Sequence, residues 1–364
     1  MTTATVAVLF GGRSSEHSIS SATAGGVLGA IDRDRYRVIP IGITRDGVFV
    51  LEDDDPGKFR LDAAKLPEVV DNGTRIVWPT AGGDRTLRVV DADGAERELG
   101  VVDAVLPILH GVHGEDGTMQ GFLDILELPY AGGGVLDSAL CMDKHFMKIA
   151  LQAAGVPVAP WATVRQQRWE RAADEVRAEA AALGYPLFVK PARAGSSVGV
   201  SKAHDASELD EAMRVAFAED DKVLVEVGIV GREIEVAMLE GRDGAPARAS
   251  LPGEIVLTTR DFYDFEGKYL GGEGVDVVCP AALSDEEIAA IRDVGVRAFE
   301  AVDGRGLARV DVFLTADGDI VVNELNTMPG FTPISMFPKC WIASGMTYSE
   351  LITELVELGM ARAA

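Results

Sequence analysis

The stretch Leu307-Ala-Arg-Val-Asp-Val-Phe-Leu-Thr-Ala-Asp-Gly-Asp-Ile-Val-Val-Asn-Glu-Leu-Asn326 decides how the rest of the chain is read. Two apolar runs, Leu307–Phe313 and Asp319–Glu324, flank Asp317-Gly318, a dipeptide that favours a tight β-hairpin turn. Alternate residues of a strand share a face, so Arg309 and Asp311 point one way, and Glu324 and Asn326 can point with them. Three hard oxygen donors then converge beside a guanidinium. Such a set suits Mg²⁺ or Mn²⁺ bridging nucleotide phosphates. The same pattern also describes a solvated polar face on an edge hairpin. The apolar neighbours Val310, Val312, Val321, Val322 and Leu325 mark the pair as buried. Buried carboxylates need cations, which favours the metal.

Working outward, strands and helices alternate. Glu233–Leu239 reads as a strand, Gly253–Gly274 as a long irregular Gly-rich loop, and Ser284-x-x-Glu287 and Thr347-x-x-Glu350 as capping boxes of two helices. Upstream, Lys144–Ala154 and Trp169–Leu183 have helical character. Pro186–Lys190 and Val223–Glu226 read as strands, and Asp205-x-x-Glu208 as a helix cap. At the start, Thr5–Phe10 and Arg37–Ile43 are strand candidates around a helix over Ser18–Ile31. Val101–Leu109 is a further buried strand, followed by Met119, Phe122, Leu123 and Leu126 on one helical face. Between them, Glu52–Gly100 holds short β-like runs (Arg75–Trp78, Thr86–Val90) and reads as an elaboration of the first domain.

Composition excludes several classes. The 364 residues suit two or three domains. The 34 basic and 58 acidic side chains leave a net charge of −24, which argues against a binder of nucleic acid or of an anionic membrane surface. No apolar run approaches the length of a membrane span. The N-terminus lacks the basic start of a signal peptide. Cys141, Cys279 and Cys340 lack metal or CxxC spacing, and each reads as a small buried hydrophobe in a reducing cytoplasm. The 40 glycines call for turns or for backbone close to a ligand.

Four more stretches carry candidate chemistry. Phe188-Val-Lys-Pro191 before Arg193-Ala-Gly-Ser-Ser-Val-Gly199 sets an ammonium and backbone N–H groups around an anion, although the lysine precedes the glycines, unlike a P-loop. Gly11-Gly-Arg-Ser-Ser-Glu16 follows a strand and opens a helix; Glu16 can bind a ligand or merely complement the helix dipole. It does not match GxGxxG, so a dinucleotide is not expected. His110-Gly-Val-His-Gly-Glu-Asp-Gly117 again marks the end of a strand, with His110 and His113 not spaced as metal ligands and His113 expected at the surface. Asp261-Phe-Tyr-Asp-Phe-Glu-Gly-Lys-Tyr269 alternates charges with aromatics, as either a packed loop or a lid.

In this order, over nearly the whole chain, these stretches resemble the D-alanine–D-alanine ligases of the ATP-grasp superfamily. The resemblance implies an α/β fold of three domains: an N-terminal doubly wound (preATP-grasp) domain over 1–132, a central ATP-grasp domain over 133–226, and a C-terminal one over 227–364 with an omega-loop lid near 253–274. It implies ATP-dependent ligation of two D-alanine molecules through an acyl phosphate, for peptidoglycan precursor synthesis, in a cytoplasmic homodimer. D-alanine–D-lactate ligation is the alternative; the Lys268-Tyr269 pair favours the dipeptide.

Residue by residue, the resemblance makes Glu16 the receiver of the first D-alanine's ammonium and joins it to Ser196 and Tyr269 in a hydrogen-bonded triad. His110 becomes a substrate-side hydrogen-bonding group. Lys144, Lys190, Ser197 and Lys268 face ATP. Glu226, Val227 and Ile229 form the adenine hinge, and Glu233 holds the ribose. Arg309 stabilises the oxyanion, Asp311, Glu324 and Asn326 hold two Mg²⁺ or Mn²⁺ ions, and Gly330 with Ser335 and Met336 receives the second carboxylate. The chain departs from the family at Ala192, where serine is frequent, and in the hinge Glu226-Val-Gly-Ile229, where bulkier residues are common.

Overall fold

The computed structural model describes residues 3–60, 66–257 and 274–362. The first apolar run is strand β1 (Ala4–Gly11). Its end is set by sterics: Gly11 has φ of +88°, and a Cβ there would lie 2.4 Å from the Ile43 carbonyl oxygen, so only glycine fits. Helix α1 (His17–Ala30) leads to β2 (Tyr36–Ile43), parallel to β1, and then to β3 (Phe49–Leu51), antiparallel to β2. The elaboration forms its own antiparallel sheet of β4 (Arg75–Val77), β5 (Thr86–Val90) and β6 (Glu96–Val101).

Val101–Leu109 is not one strand. After β6 ends, the Asp103 carboxylate accepts the Thr5 N–H at 2.7 Å, and the chain changes sheet to enter β7 (Ala104–Pro107), parallel to β1. The first sheet therefore runs β3-β2-β1-β7. The carboxyl end of β1 lies between connections leaving in opposite directions, the place where doubly wound sheets bind ligands. Helix α2 (Thr118–Ile125) buries Met119 and Leu123, as its spacing predicts.

Helix α3 (Val135–Met142) was not expected; α4 (Lys144–Ala153) was. Asp143 separates them, its side chain accepting the His145 and Phe146 N–H groups as the N-cap of α4. The central sheet contains β8 (Trp161–Arg165), β9 (Leu187–Pro191), β10 (Ser201–Ala203) and β11 (Lys222–Val227), ordered β10-β9-β11-β8 and antiparallel. Helices α5 (Gln166–Leu183) and α6 (Leu209–Phe217) cover it. The predicted Asp205-x-x-Glu208 cap does not form. Asp205 accepts from the Ser207 N–H at 2.8 Å and Glu208 from the His204 N–H at 2.8 Å, making a side-chain turn ahead of α6.

The third sheet is built from β12 (Arg232–Leu239), β13 (Arg248–Ala249), β14 (Gly253–Leu257), β15 (Val275–Val278), β16 (Leu307–Leu314) and β17 (Ile320–Asn326). Its path is β15-β14-β12-β16-β17, with β13 on β12. The stretch expected to be irregular from Gly253 thus opens as a strand. Helices α7 (Asp285–Ala301) and α9 (Tyr348–Ala361) carry the predicted capping boxes, and α8 (Met336–Ala343) lies between β17 and α9.

Two cores cross the chain order. Phe10, Leu106 and Ile108 of the first sheet pack with Phe337 and Trp341 of α8 and with Leu351 and Leu355 of α9. Met147 and Leu151 of α4 pack with Val310 and Val312 of β16 and Ile291 of α7, so α3 and α4 back the third sheet. Cys279 Sγ and Cys340 Sγ, distant in sequence, lie 3.8 Å apart as free thiols. Among the described residues, no helix is long and apolar enough to cross a membrane.

Candidate active site

The hairpin does what its alternation predicts. Arg309 pairs with Asn326 and Asp311 with Glu324 across β16 and β17, with a bulge just after Asp311. Arg309 donates from Nε and Nη2 to the two Asp311 oxygens at 2.6 and 2.7 Å, and its Nε lies 3.1 Å from Glu235 Oε2 on β12. Burial works against the charge on Arg309, but Asp311 and Glu235 hold its pKa well above the usual arginine value. Asn326 Nδ2 donates to Asp311 Oδ2 at 3.1 Å and to Glu324 Oε1 at 3.5 Å. An N–H thus bridges two carboxylates at the point where a hard cation would sit, and turning the amide would present its oxygen as the third donor. Among the described residues no group of three His, Cys, Asp or Glu side chains forms a metal site, so the amide is needed to complete this one.

Facing the hairpin is a cavity of about 490 Å³ between the central and third sheets. Lys144, Lys190, Ser196, Ser197, Glu226, Val227, Ile229, Glu233, Asp311 and Glu324 all line it. Lys144, first residue of α4, donates to the Ala194 carbonyl at 2.8 Å and lies 3.7 Å from Glu324 Oε2. Lys190, on β9, reaches Glu226 Oε1 at 3.2 Å and Asn323 Oδ1 at 3.1 Å. The Glu226 side chain is buried and pairs with Lys190 and with Lys148 on α4. At the hinge, the Val227 N–H goes to the Pro160 carbonyl and the Gly228 N–H to that of Pro186, each at 3.0 Å. Neither is left for a ligand base; Val227 can offer its carbonyl and side chain.

Glu16 reaches across to the central loop. It occupies the N-cap position of α1 but makes no cap bond; its Oε1 instead accepts from Ser196 Oγ, 180 residues away. Ser196 and Ser197 both have positive φ, +50° and +58°, a conformation that costs a non-glycine residue energy and gathers at functional loops. The buried His110 donates from Nδ1 to the Met328 carbonyl at 3.1 Å, and burial lowers its pKa. His113 is exposed, as expected. Ser335 is the N-cap of α8, with its Oγ on Thr332 Oγ1 at 2.7 Å. The Met336 side chain is buried, so what it offers a ligand is the backbone N–H of the first helical turn, a natural carboxylate site. Gly330 lies in the same connection between β17 and α8. Lys268 and Tyr269 lie outside the described residues.

Four groups escaped sequence reading. Glu235 sits opposite Asp311 on β12; its alternation with Glu233 was the available signal. Glu115 accepts the Gly111 N–H at 2.6 Å and the Met328 N–H at 3.3 Å, tying the loop after β7 to the loop after β17. Burial, with Glu16 nearby, pushes its carboxyl up to about 8. Lys148 and Asn323 gave no signal beyond the former's i+4 spacing from Lys144.

Comparisons with known proteins point the same way. The family description "D-ala D-ala ligase N-terminus" matches residues 5–133 and "D-ala D-ala ligase C-terminus" residues 150–357. The D-alanine–D-alanine ligases of Arthrobacter sp. (strain FB24) and Kineococcus radiotolerans are 50% and 51% identical, covering 98% of this chain and 94% and 96% of theirs. Among solved structures, the VanG D-Ala:D-Ser ligase from Enterococcus faecalis superposes with a TM-score of 0.83 at 34% identity, over 98% of this chain and 100% of that one. The D-alanine–D-alanine ligase from Coxiella burnetii gives 0.82 at 34% identity, over 99% and 95%.

Proposed function

The chain belongs to the D-alanine–D-alanine ligase family, and on that premise we propose how its residues join two D-alanine molecules at the expense of ATP. The relatives' shared name does not favour the D-lactate alternative. One observation carries the residue roles: the Ser196–Glu16 hydrogen bond brings the central loop onto the carboxyl end of β1, beside a cavity lined by three lysines (Lys144, Lys190 and Lys202) and two hairpin carboxylates.

The first D-alanine lies at the end of β1, its ammonium on Glu16. Its carboxylate takes the γ-phosphoryl group, giving an acyl phosphate and ADP. Lys144, Lys190, Ser197 and, on the lid, Lys268 contact the nucleotide phosphates. The backbone around Glu226, Val227 and Ile229 receives adenine, and Glu233 the ribose. Asp311, Glu324 and the turned amide of Asn326 fit two Mg²⁺ or Mn²⁺ ions, which would offset phosphoryl charge when bound. The second D-alanine places its carboxylate on the first turn of α8 at Ser335 and Met336. Its amine attacks the acyl carbon, loses a proton, and phosphate leaves. Arg309 and the Gly330 N–H stabilise the oxyanion formed on the way. His110 and Tyr269 hydrogen-bond on the substrate side. An acyl phosphate hydrolyses readily, so water must be kept out, the role of a lid following β14.

We read the chain as three domains (1–132, 133–226, 227–364) in a cytoplasmic homodimer; three free thiols suit a reducing compartment. Size-exclusion chromatography with light scattering tests the dimer: a mass near twice 38.6 kDa supports it and a single-chain mass opposes it. For the residue roles, Arg309→Ala is expected to abolish dipeptide formation while ATP still binds. A full-rate variant would remove Arg309 from the reaction.

A further inference from the structure

Lys148 is a lysine the reaction above does not use. It lies on α4, one turn after Lys144, and is 1% exposed. Its Nζ is 3.0 Å from Glu226 Oε2 and 5.6 Å from the centre of the Trp161 ring. Lysines are almost never this buried without a reason. The other oxygen of the same carboxylate, Glu226 Oε1, is 3.2 Å from Lys190. One buried anion therefore stands between two cations, and only Lys190 opens onto the cavity.

The balance of charge gives this arrangement its meaning. With Glu226 and Lys190 alone, the cluster would be neutral and the lysine facing the phosphates would be cancelled at close range. The second ammonium leaves a net charge of +1. Burial lowers the pKa of Lys148, and Glu226 opposes that; Lys190 and Lys148 together overcome burial to hold the Glu226 carboxyl below its usual range. We propose that Lys148 is a positioning and charge-setting residue of the nucleotide site: by neutralising Glu226 from behind, it leaves the charge of Lys190 available to a polyphosphate. The proposal rests on reading the cavity as the ATP site.

A purely structural lysine and a charge-setting one differ in which ligand notices its loss. Equilibrium binding of ATP and of uncharged adenosine to the full chain separates them. Lys148→Met is expected to weaken ATP about tenfold, equivalent to about 1.4 kcal/mol, and to leave adenosine within about twofold. Lys148→Met combined with Glu226→Gln restores the net charge of +1 and is expected to recover most ATP affinity. Lys148→Gln, which keeps a donor on Glu226, gives the same comparison should the methionine variant not fold. Equal losses for ATP and adenosine, unchanged ATP binding, or a double variant as weak as the single one would overturn the proposal. A wild-type chain that binds neither ligand would instead overturn the nucleotide reading beneath it.

Discussion

At Asp311 a single carboxylate holds two nitrogens of a buried guanidinium, Nε and Nη2, and accepts from the Asn326 amide. Asp311→Asn is expected to cost about 3 kcal/mol of stability, because Arg309 is left buried and under-compensated, and to lower ATP-dependent phosphate release at least a hundredfold. Urea unfolding and a coupled phosphate assay check the two halves; a stable, active variant would contradict both. Glu115 makes a pH prediction. Its carboxyl is raised from the ordinary 4.5 to about 8, so between those values the folded chain binds a proton that the unfolded chain has released. Its contribution to stability is full below about pH 4.5 and is lost as pH rises through about 8. Glu115→Gln cannot ionise. The wild-type advantage in Tm is therefore expected to shrink from about pH 5 to about pH 8.5, and parallel curves would contradict the assignment. Neither Glu115 nor Lys148 was legible beforehand, because what distinguishes them is burial against partners more than a hundred or about eighty residues away. Asp311, Glu324 and Asn326 were legible because strand alternation alone sets them on one face.

Elements were legible where a local rule acts. Ser284 and Thr347 form their capping boxes, and the Asp317-Gly318 turn closes the hairpin, with Gly318 at φ +86°. Helix α3 starts from Gly134 without a side-chain cap and α8 carries Pro338, so neither shows a local helix signal, and the apolar run Val101–Leu109 joined the last residue of β6 to β7 across the sheet change. At Asp205 the same signature as a capping box made only a turn, since the side chain found Ser207 first. Two substitutions test how elements position the site. Asp143→Ala removes the α4 cap and strips the buried Lys222 of its partner, an expected loss of about 3 kcal/mol by urea unfolding; a loss under about 1 would contradict it. A Cβ on Gly253 would lie 2.1 Å from Met336 Sδ, so Gly253→Ala pushes on the first turn of α8. The KM for the second D-alanine is expected to rise at least fivefold with the first little changed; equal shifts would contradict that role for α8.

Across the whole molecule, the end of the chain closes the beginning: α9 packs Leu351, Leu355 and Val356 into the core that holds β1. Leu355→Ala is expected to cost about 3 kcal/mol, read by thermal or urea unfolding. The charge of −24 belongs to the outer surface, while Lys144, Lys190 and Lys202 line one cavity and Lys148 lies behind it, four of the nine lysines. The acidic total thus excluded polyanions while concealing a pocket suited to one small, highly charged ligand. The central claim is that this pocket drives ligation of D-alanine to D-alanine. Its most direct test is phosphate release from ATP by the full chain with D-alanine, L-alanine or D-alanine plus D-lactate, with mass analysis of the product. The account predicts phosphate release dependent on D-alanine and a product of the mass of D-alanyl-D-alanine, with no ester formed when D-lactate competes. Phosphate release indifferent to D-alanine, or an ester as the main product, would contradict it.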